Sequence, residues 1–453
     1  MTILHYSLGL PPYRTGGMTQ YCLDLISEEQ RQGREVALLW PGSFCYFRKK
    51  STIKKMPMFN YQGRLIENYQ IKNPLPIPLL NGVRDIDKYT EERPQNNYRV
   101  FLLNHGITVV HFHTLMGLPI EFLNECKKLR IETIYTSHDF FGICPRVNLC
   151  KSGHDCNSAN TFEYCFSCSK SAFSFCKIVL MQSPFYRVSK NTNITAHIRA
   201  MVRAKEMGQT AEAVAETNHI EEYKRLQKFY FNYFISFDVL HFNSSRTREV
   251  FSRYLPESDR WVTIPLSLPN LDKKNPKTTN IKNFIRFGFV GNFSSEKGYF
   301  NLINAFLSLK SSSERKYELN VIGNPPKNYG FIKSNPPFKR DDLASFYNRC
   351  DVIVVPSVCN ETFGFTLLEG LSFNKPIITT VFVGSSCFIR NGENGFLYNG
   401  SVNELSNLIQ SLLDNPEKVN EMSRTIKNTM YVGGFDEHCK KILYLYDGYR
   451  KER

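Results

Sequence analysis

The sequence predicts a two-domain α/β protein, each domain a doubly wound parallel sheet, and three observations carry that prediction. Short apolar runs rich in Val and Ile alternate with helical patterns through most of the chain, as βαβ units require. At 453 residues the chain is too long for one hydrophobic core. A polar stretch from Pro269 to Asn283, rich in Lys, Asn and Pro, interrupts the alternation and reads as a linker between two sets of units. The predicted organisation is therefore 1–268, a linker 269–283, a second domain 284–430, and a terminal helical segment 431–453.

In the first half the apolar runs predict strands at Thr2–Ser7, Glu35–Leu39, Thr108–Phe112, Glu132–Thr136, Val239–Phe242 and Trp261–Ile264. A helix opens near Gly16-Gly17 and turns Tyr21, Leu23, Leu25 and Ile26 toward a core. In the second half the strands are Phe284–Val290, Leu319–Ile322, Asp351–Pro356 and Pro376–Thr380. Helices are expected from Lys297, over Asp341–Tyr347, near Phe365–Ser372, twice across Val402–Met430, and over Asp436–Tyr449. Two such domains leave a cleft between the carboxyl ends of their sheets, where ligands of open α/β sheets bind.

Composition narrows the function classes. Apolar residues make up 42% and charged residues 22%, which fits a packed protein and not a disordered one. The longest apolar runs, such as Val352–Pro356, fall far short of the ~18 residues that cross a bilayer. The first residues lack a basic region and a long apolar stretch, so they read as a strand and the expected location is cytoplasmic. The net charge is +15. Arg48, Lys49, Lys50, Lys54 and Lys55 concentrate part of it in one short segment, either a solvated loop or a contact to an anionic membrane on its inner face. No zinc-finger spacing or aromatic RNA-binding motif accompanies the charge, so nucleic acid is not an expected partner.

Two motifs carry chemistry. In Asp351-Val-Ile-Val-Val-Pro-Ser-Val-Cys-Asn-Glu361-Thr-Phe-Gly-Phe-Thr-Leu-Leu-Glu369 a buried strand gives way to a loop bearing Glu361 and a helix starting around Gly364–Thr366. The helix start offers unpaired N–H groups and the positive dipole end to a phosphate. Glu369, one turn inside, can accept hydrogen bonds from vicinal hydroxyls. Two glutamates at this spacing also occur by chance, and the strand–loop–helix context is what gives them meaning. The second motif, Phe287-Gly-Phe-Val-Gly-Asn-Phe-Ser-Ser-Glu-Lys297-Gly298, again runs strand, loop, helix, and aims Lys297 where a phosphate would sit. Asp85-Ile-Asp87 has a manganese-binding spacing, but its flanks are polar and no strand precedes it, so a metal site is not expected there.

Thirteen cysteines are present, five of them between Cys144 and Cys168 with His154 among them. Without a secretion signal a disulfide framework is disfavoured there. Cys165-x2-Cys168 is a metal-knuckle spacing, and Cys150, Cys156, Cys165 and Cys168 are the expected ligands of a structural zinc, with Cys144 a core residue beside Pro145. The plain alternative is unpaired thiols in an irregular loop.

Taken together, these motifs resemble glycosyltransferase family 4, which has the GT-B fold. The resemblance runs through most of the chain, including Gly16-Gly17, Val110-His111-Phe112-His113, Ser137-His138-Asp139 through Arg146, and Asn391 through Tyr398. It implies a retaining transfer of a sugar from a nucleotide-diphosphate sugar to a saccharide or lipid-linked acceptor, with no cofactor required for catalysis. Lys297 would neutralise the donor diphosphate, Glu369 would hold the ribose, and Glu361 with the Phe363, Gly364, Phe365 and Thr366 backbone would contact sugar and phosphate. Gly16 and Gly17 would let the first domain approach the diphosphate, and His138 would face the sugar, although a strand-end histidine bonded locally is its plain alternative. Two positions depart from the family pattern: Asn292 stands where many members have arginine, and Gly384-Ser-Ser-Cys-Phe388 lacks the usual acidic residue. A competing reading follows from them, a non-catalytic scaffold of the same fold that binds an anionic membrane or a partner protein.

Overall fold

A computed structural model describes residues 1–44, 50–78, 82–151, 154–156, 162–189, 217–269, 281–310, 316–337, 342–429 and 434–448. Arg48 and Lys49 of the basic segment, and most of the expected linker, lie outside the described residues.

The first domain is built on strands β1 (Thr2–Tyr6), β2 (Glu35–Pro41), β3 (Thr52–Lys55), β4 (Phe59–Tyr61), β5 (Arg64–Lys72), β6 (Ile107–Phe112), β7 (Glu132–Thr136), β8 (Cys150–Lys151), β9 (His154–Asp155), β10 (Val239–Phe242) and β11 (Trp261–Thr263). Nine of them form one sheet in the order β11-β10-β7-β6-β1-β2-β5-β3, with β4 also on β5. Its pairs are parallel except where β3 and β4 run antiparallel to β5. The central strands β1 and β7 are buried nearly end to end, which is why they read as continuous apolar runs. The second domain carries β12 (Ile285–Phe289), β13 (Tyr317–Ile322), β14 (Ile332–Asn335), β15 (Val352–Val355), β16 (Ile377–Thr380) and β17 (Gly395–Tyr398), all parallel, in the order β14-β13-β12-β15-β16-β17. Both sheets reverse strand order once, between β1 and β6 and between β12 and β15, and such switch points open a crevice at the strands' carboxyl ends.

Three features escaped the alternation pattern. The basic segment is not all loop: Lys54 and Lys55 lie in edge strand β3, and Lys55 pairs with Glu67 on β5. A long helix, Thr217–Ser236, buries Tyr223, Tyr230 and Tyr233 against the first sheet, and their hydroxyls donate to the carbonyls of Val83, Tyr89 and Leu118 at 2.9, 3.0 and 2.7 Å. Cys150 forms a disulfide with Cys359, 209 residues away, tying β8 to the loop that follows β15.

The terminal helix Phe435–Gly448 crosses back to pack on the first domain. Its Cys439, Ile442, Leu443 and Leu445 join one apolar cluster with Tyr21, Leu25 and Ile26 of the helix Gly17–Arg31 and with Phe363 and Leu368 of the second domain. Arg34 also pairs with Asp447 at 2.8 Å, but in solvent such a pair adds at most about 1 kcal/mol. Burial of the apolar stripe is what holds the helix. No helix among the described residues is long and apolar enough to cross a membrane.

Candidate functional site

Lys297 and Glu361 meet at the switch point of the second sheet. Lys297 ends the loop after β12 and Glu361 sits in the loop after β15, and their side chains form an ion pair, Nζ to Oε2, at 2.8 Å. The two loops are locked together. Val358 N–H donates to the Glu296 carbonyl at 3.1 Å, and Gly298 takes a left-handed φ of 67°. A Cβ at Gly298 would lie 1.8 Å from the Pro356 carbonyl oxygen, so only glycine lets the lysine loop press on the end of β15. The second carboxylate oxygen of Glu361 accepts from the Ser357 hydroxyl, so the carboxylate is aimed from two sides.

The helix Phe365–Ser372 begins beside this pair. Gly364, its N-cap at φ 91°, turns the chain into it, and the N–H groups of the first turn, those of Phe365 and Thr366 among them, have no intrahelical acceptor. Glu369 lies on the same helix, half-buried, and accepts a hydrogen bond from the Tyr347 hydroxyl at 2.6 Å. The turn Gly384–Phe388, which lacks the expected acidic residue, serves the loop by its backbone instead. Gly384 N–H donates to the Glu361 carbonyl at 3.0 Å and Ser385 N–H to the Phe363 carbonyl at 2.6 Å. Asn292 is exposed in the loop after β12.

The first domain closes over this loop. Thr362 Oγ1 donates to the His138 carbonyl at 3.0 Å, and the Thr362 carbonyl accepts from Ser244 and Thr247, each at 2.8 Å. Gly17 opens its helix opposite the Phe365 ring, whose carbons lie 3.2 Å from where a side chain on Gly17 would begin. Gly16, the N-cap, is exposed beside it. Sequence reasoning did not find the clamp of Ser244, Thr247 and Thr362, because small hydroxyl residues at loop ends carry no distinctive spacing.

Behind His138 lies an array of buried histidines. His5 on β1 stands in register with His111 on β6, and His113 follows two residues later on the same side. His113 Nδ1 lies 3.1 Å from His138 Nε2, His5 Nδ1 lies 3.0 Å from His113 Nε2, and His5 Nε2 lies 2.7 Å from Glu29. Burial pushes His138 down to about 3 and His241 to about 4, and holds His111 and His113 well below the usual imidazole range, so these rings are neutral at neutral pH. Among the described residues, His5, His111 and His113 are the group whose ligand-type atoms fall within 4.8 Å of one another. Both nitrogens of each ring already have hydrogen-bond partners, which accounts for the cluster without a metal.

The expected zinc ligands need correction. Cys150 is disulfide-bonded to Cys359, so its sulfur is not available as a thiolate, and a disulfide exists where none was expected. Cys144 packs against the core of the first domain, as expected, and its thiol also feels those of Cys156 and Cys168. Burial pushes the Cys144 thiol up to about 11, with Cys156 and Cys168 adding to the shift, and Cys165 is raised by burial, then by Cys144, Cys156 and Cys168. Asp85 and Asp87 do not form a metal pair: Asp85 accepts from the Phe175 N–H at 2.6 Å, and Asp87 pairs with Arg225.

Two open α/β domains face across a cleft, with a lysine and a helix N-terminus at the switch point of the second. Residues 272–429 match the family described as glycosyl transferases group 1. The C-terminal domain is therefore of the group 1 glycosyltransferase type, and the chain as a whole has the GT-B fold. Among curated proteins, an uncharacterized glycosyltransferase of Methanocaldococcus jannaschii is 28% identical over 198 residues, covering 39% of this chain and 55% of that protein. The capsular polysaccharide biosynthesis glycosyltransferase CapM of Staphylococcus aureus is 31% identical over 163 residues, covering 33% of this chain and 42% of that protein. The chain thus spans about half the length of the curated relatives it matches, or less. Among solved structures, sucrose-phosphate synthase from Thermosynechococcus elongatus superposes over 100% of both chains with a TM-score of 0.58 at 14% identity. The Anabaena protein HepE, solved with UDP and glucose, covers 98% of this chain and 99% of its own with a TM-score of 0.54 at 14% identity. At such identities the likeness is one of fold.

Proposed function

We propose that the chain is a retaining glycosyltransferase that moves a hexose-type sugar from a nucleotide-diphosphate sugar to a saccharide or lipid-linked acceptor, in surface polysaccharide synthesis. The observation that carries this reading is the Lys297–Glu361 pair at the switch point, beside the helix start at Gly364. A cation and unpaired N–H groups converging on one crevice suit a diphosphate. Lys297 neutralises it, with the Phe365 and Thr366 N–H groups; Glu369 holds the ribose; Glu361 and the Phe363–Thr366 backbone contact the sugar. Gly16, Gly17 and His138 approach from the first domain, and Asn292 leaves the phosphates with one cation fewer than an arginine there would give. CapM's name refers to capsular polysaccharide, and HepE was solved with a nucleotide and a sugar; both support this choice of substrates.

In the proposed step the bond from the anomeric carbon to the diphosphate breaks while the acceptor hydroxyl bonds to that carbon from the same face. The hydroxyl proton passes to the departing phosphate oxygen. Lys297 and the helix-terminal N–H groups stabilise the charge that builds on the diphosphate, a preorganised electrostatic contribution. We place the protein at the cytoplasmic face of an anionic membrane, held reversibly by its basic edge.

A panel of nucleotide-diphosphate sugars, followed by release of the nucleotide diphosphate, tests the reading. Release with one donor class, abolished by Lys297→Ala, is expected. No release with any donor, together with no calorimetric binding of any nucleotide diphosphate, refutes it and favours the scaffold reading that Asn292 and Phe388 suggest.

A further inference from the structure

The loop after β1 and the short helix Pro184–Ser189 bring two arginines together at the carboxyl end of the first sheet. Arg14 Cζ lies 4.9 Å from the centre of the Tyr13 ring. Arg187 Cζ lies 4.9 Å from the same ring and 4.6 Å from that of Trp40, near the end of β2. Gly9 makes room for this grouping: at its φ of 132°, a side chain there would begin 3.2 Å from Arg14 Cγ and 3.8 Å from the Trp40 ring. The segment leading to Arg187 is fixed to the sheet. The Tyr13 hydroxyl donates to the Met181 carbonyl at 3.0 Å, and the Gln182 amide accepts from the Ile77 N–H at 3.0 Å and donates to the Gly42 carbonyl at 3.4 Å.

The two cations are held in place but not answered. Nε and Nη2 of both arginines are buried with no hydrogen-bond acceptor among the described residues, and neither guanidinium forms an ion pair there with a carboxylate. Nε and Nη2 form the edge with which a guanidinium grips an oxyanion through two parallel bonds. A buried charged donor left unpaired is costly, and two like charges side by side add to the cost. Burial pulls the Arg187 guanidinium below its ordinary range; Tyr13 opposes this and the charge of Arg14 adds to it. The aromatic rings offset part of that cost through their faces, but they offer nothing to the in-plane N–H edges. A carboxylate would fill one edge, whereas a phosphate or diphosphate can fill both and cancel the repulsion.

The pair stands apart from the donor loop. Thr362 is held by His138, Ser244 and Thr247, which follow β7 and β10, whereas Arg14 and Trp40 lie on the β1–β2 side of the switch point. A donor diphosphate is already provided for by Lys297 and the helix start at Gly364. We propose that Arg14 and Arg187 bind the phosphate of the acceptor, which is therefore a phosphate or diphosphate ester, either a phosphorylated saccharide or a saccharide on a lipid diphosphate. Both residues are part exposed, so a turn of each side chain brings its buried edge to an anion arriving from solvent. The assignment to the acceptor rests on the proposed function, whereas the anion site does not.

Trp40 reports on the site, because Arg187 lies on its ring and the chain has only 2 tryptophans. Inorganic pyrophosphate, titrated at constant ionic strength into full-length Lys297→Ala protein to weaken competition from the donor site, should change the tryptophan emission saturably. Trp40→Phe should abolish the change, and Arg14→Gln and Arg187→Gln should each weaken binding by about tenfold or more. No saturable change while both arginines are in place overturns the site, and this is read even if an arginine variant does not fold. Arginine variants that bind as tightly as their parent also overturn it. Kinetics at saturating donor then compare a saccharide monophosphate, a saccharide on a lipid diphosphate and an unphosphorylated saccharide. Arg14→Gln should raise the KM of the phosphorylated acceptor about tenfold to a hundredfold and leave the donor KM within about twofold. The better of the two phosphorylated acceptors identifies the source of the ester. A raised donor KM with an unchanged acceptor KM, or equal use of the unphosphorylated saccharide, overturns the assignment to the acceptor. A protein inert to every donor that still shows the pyrophosphate response refutes the proposed function and leaves the anion site standing.

Discussion

Removing the Lys297 amine separates folding from chemistry, because the structure assigns it little of the first. Its partner Glu361 lies 2.8 Å away, but the two side chains remain 38% and 18% exposed. A pair so open to water contributes at most about 1 kcal/mol to stability, so Lys297→Ala should melt within a few degrees of the wild type. Turnover is a different matter. If Lys297 meets charge that builds only as the glycosidic bond breaks, its loss costs about 2.7–4 kcal/mol, a fall in kcat on the order of a hundredfold to a thousandfold. In the unliganded protein Glu361 competes with a phosphate for this cation. Glu361→Gln should therefore leave nucleotide diphosphate binding intact or slightly tightened, by no more than about fivefold, while it lowers kcat. Glu369→Gln keeps an acceptor for the Tyr347 hydroxyl but loses charge toward the ribose, so it should mainly raise the donor KM and weaken the free nucleotide. The assay is steady-state kinetics with calorimetric titration of the nucleotide diphosphate on all three variants. Loss of nucleotide affinity in Glu361→Gln with affinity kept in Glu369→Gln would reverse the two roles. Wild-type kinetics in all three would put the donor site elsewhere.

Gly298→Ala should destabilise the second domain by about 1–3 kcal/mol from its left-handed backbone alone, with the approach to Pro356 adding to it; thermal melting and nucleotide titration should fall together. For the cysteine loop, with Cys150 held in the disulfide, a zinc would fall to Cys144, Cys156, Cys165 and Cys168, whose sulfurs do not converge within 4.8 Å and would have to draw together on the metal. Elemental analysis of chelator-free protein should then find about one zinc per chain, lost in the Cys165→Ser, Cys168→Ser double variant. Metal-free protein with unchanged melting would eliminate that site. The basic segment should sediment with anionic vesicles at low salt and release at high salt, and binding indifferent to ionic strength would count against it.

Much of the fold was legible because buried parallel strands have a one-dimensional signature. The strands at Val239–Phe242 and Trp261–Thr263 announce themselves as apolar runs between polar turns, whereas Arg64–Lys72, paired with β2 on one side and with β3 and β4 on the other, does not, because Arg, Glu, Asn, Gln and Lys interrupt its apolar residues. The helix Thr217–Ser236 was obscured for a related reason: it buries tyrosines whose hydroxyls reach carbonyls, and tyrosine reads as ambiguous in a periodicity count.

The candidate site divides along the same line. Lys297, Glu361 and Glu369 could be singled out since each lies on a short strand–loop–helix unit whose consequence for a helix terminus is local. The partner of Cys150 could not, since Cys359 is brought to it only by the packing of two domains. The histidine array is the extreme case. Two of its members, His111 at the end of β6 and His113 just beyond it, are separated by one residue in extended chain and so share a face, which is a readable sign that polar rings enter the core together. Its outer partners are not readable at all. They are a carbonyl at residue 264 and a tyrosine at 446, and the tyrosine meets the rings only after the terminal helix has crossed to the first domain. The neighbours of these rings thus come from far away in sequence, and a substitution as remote as Tyr446→Phe, which keeps the packing and removes one hydroxyl, leaves His111 and Glu29 without the partner they share, at a cost in melting temperature that a thermal scan reads.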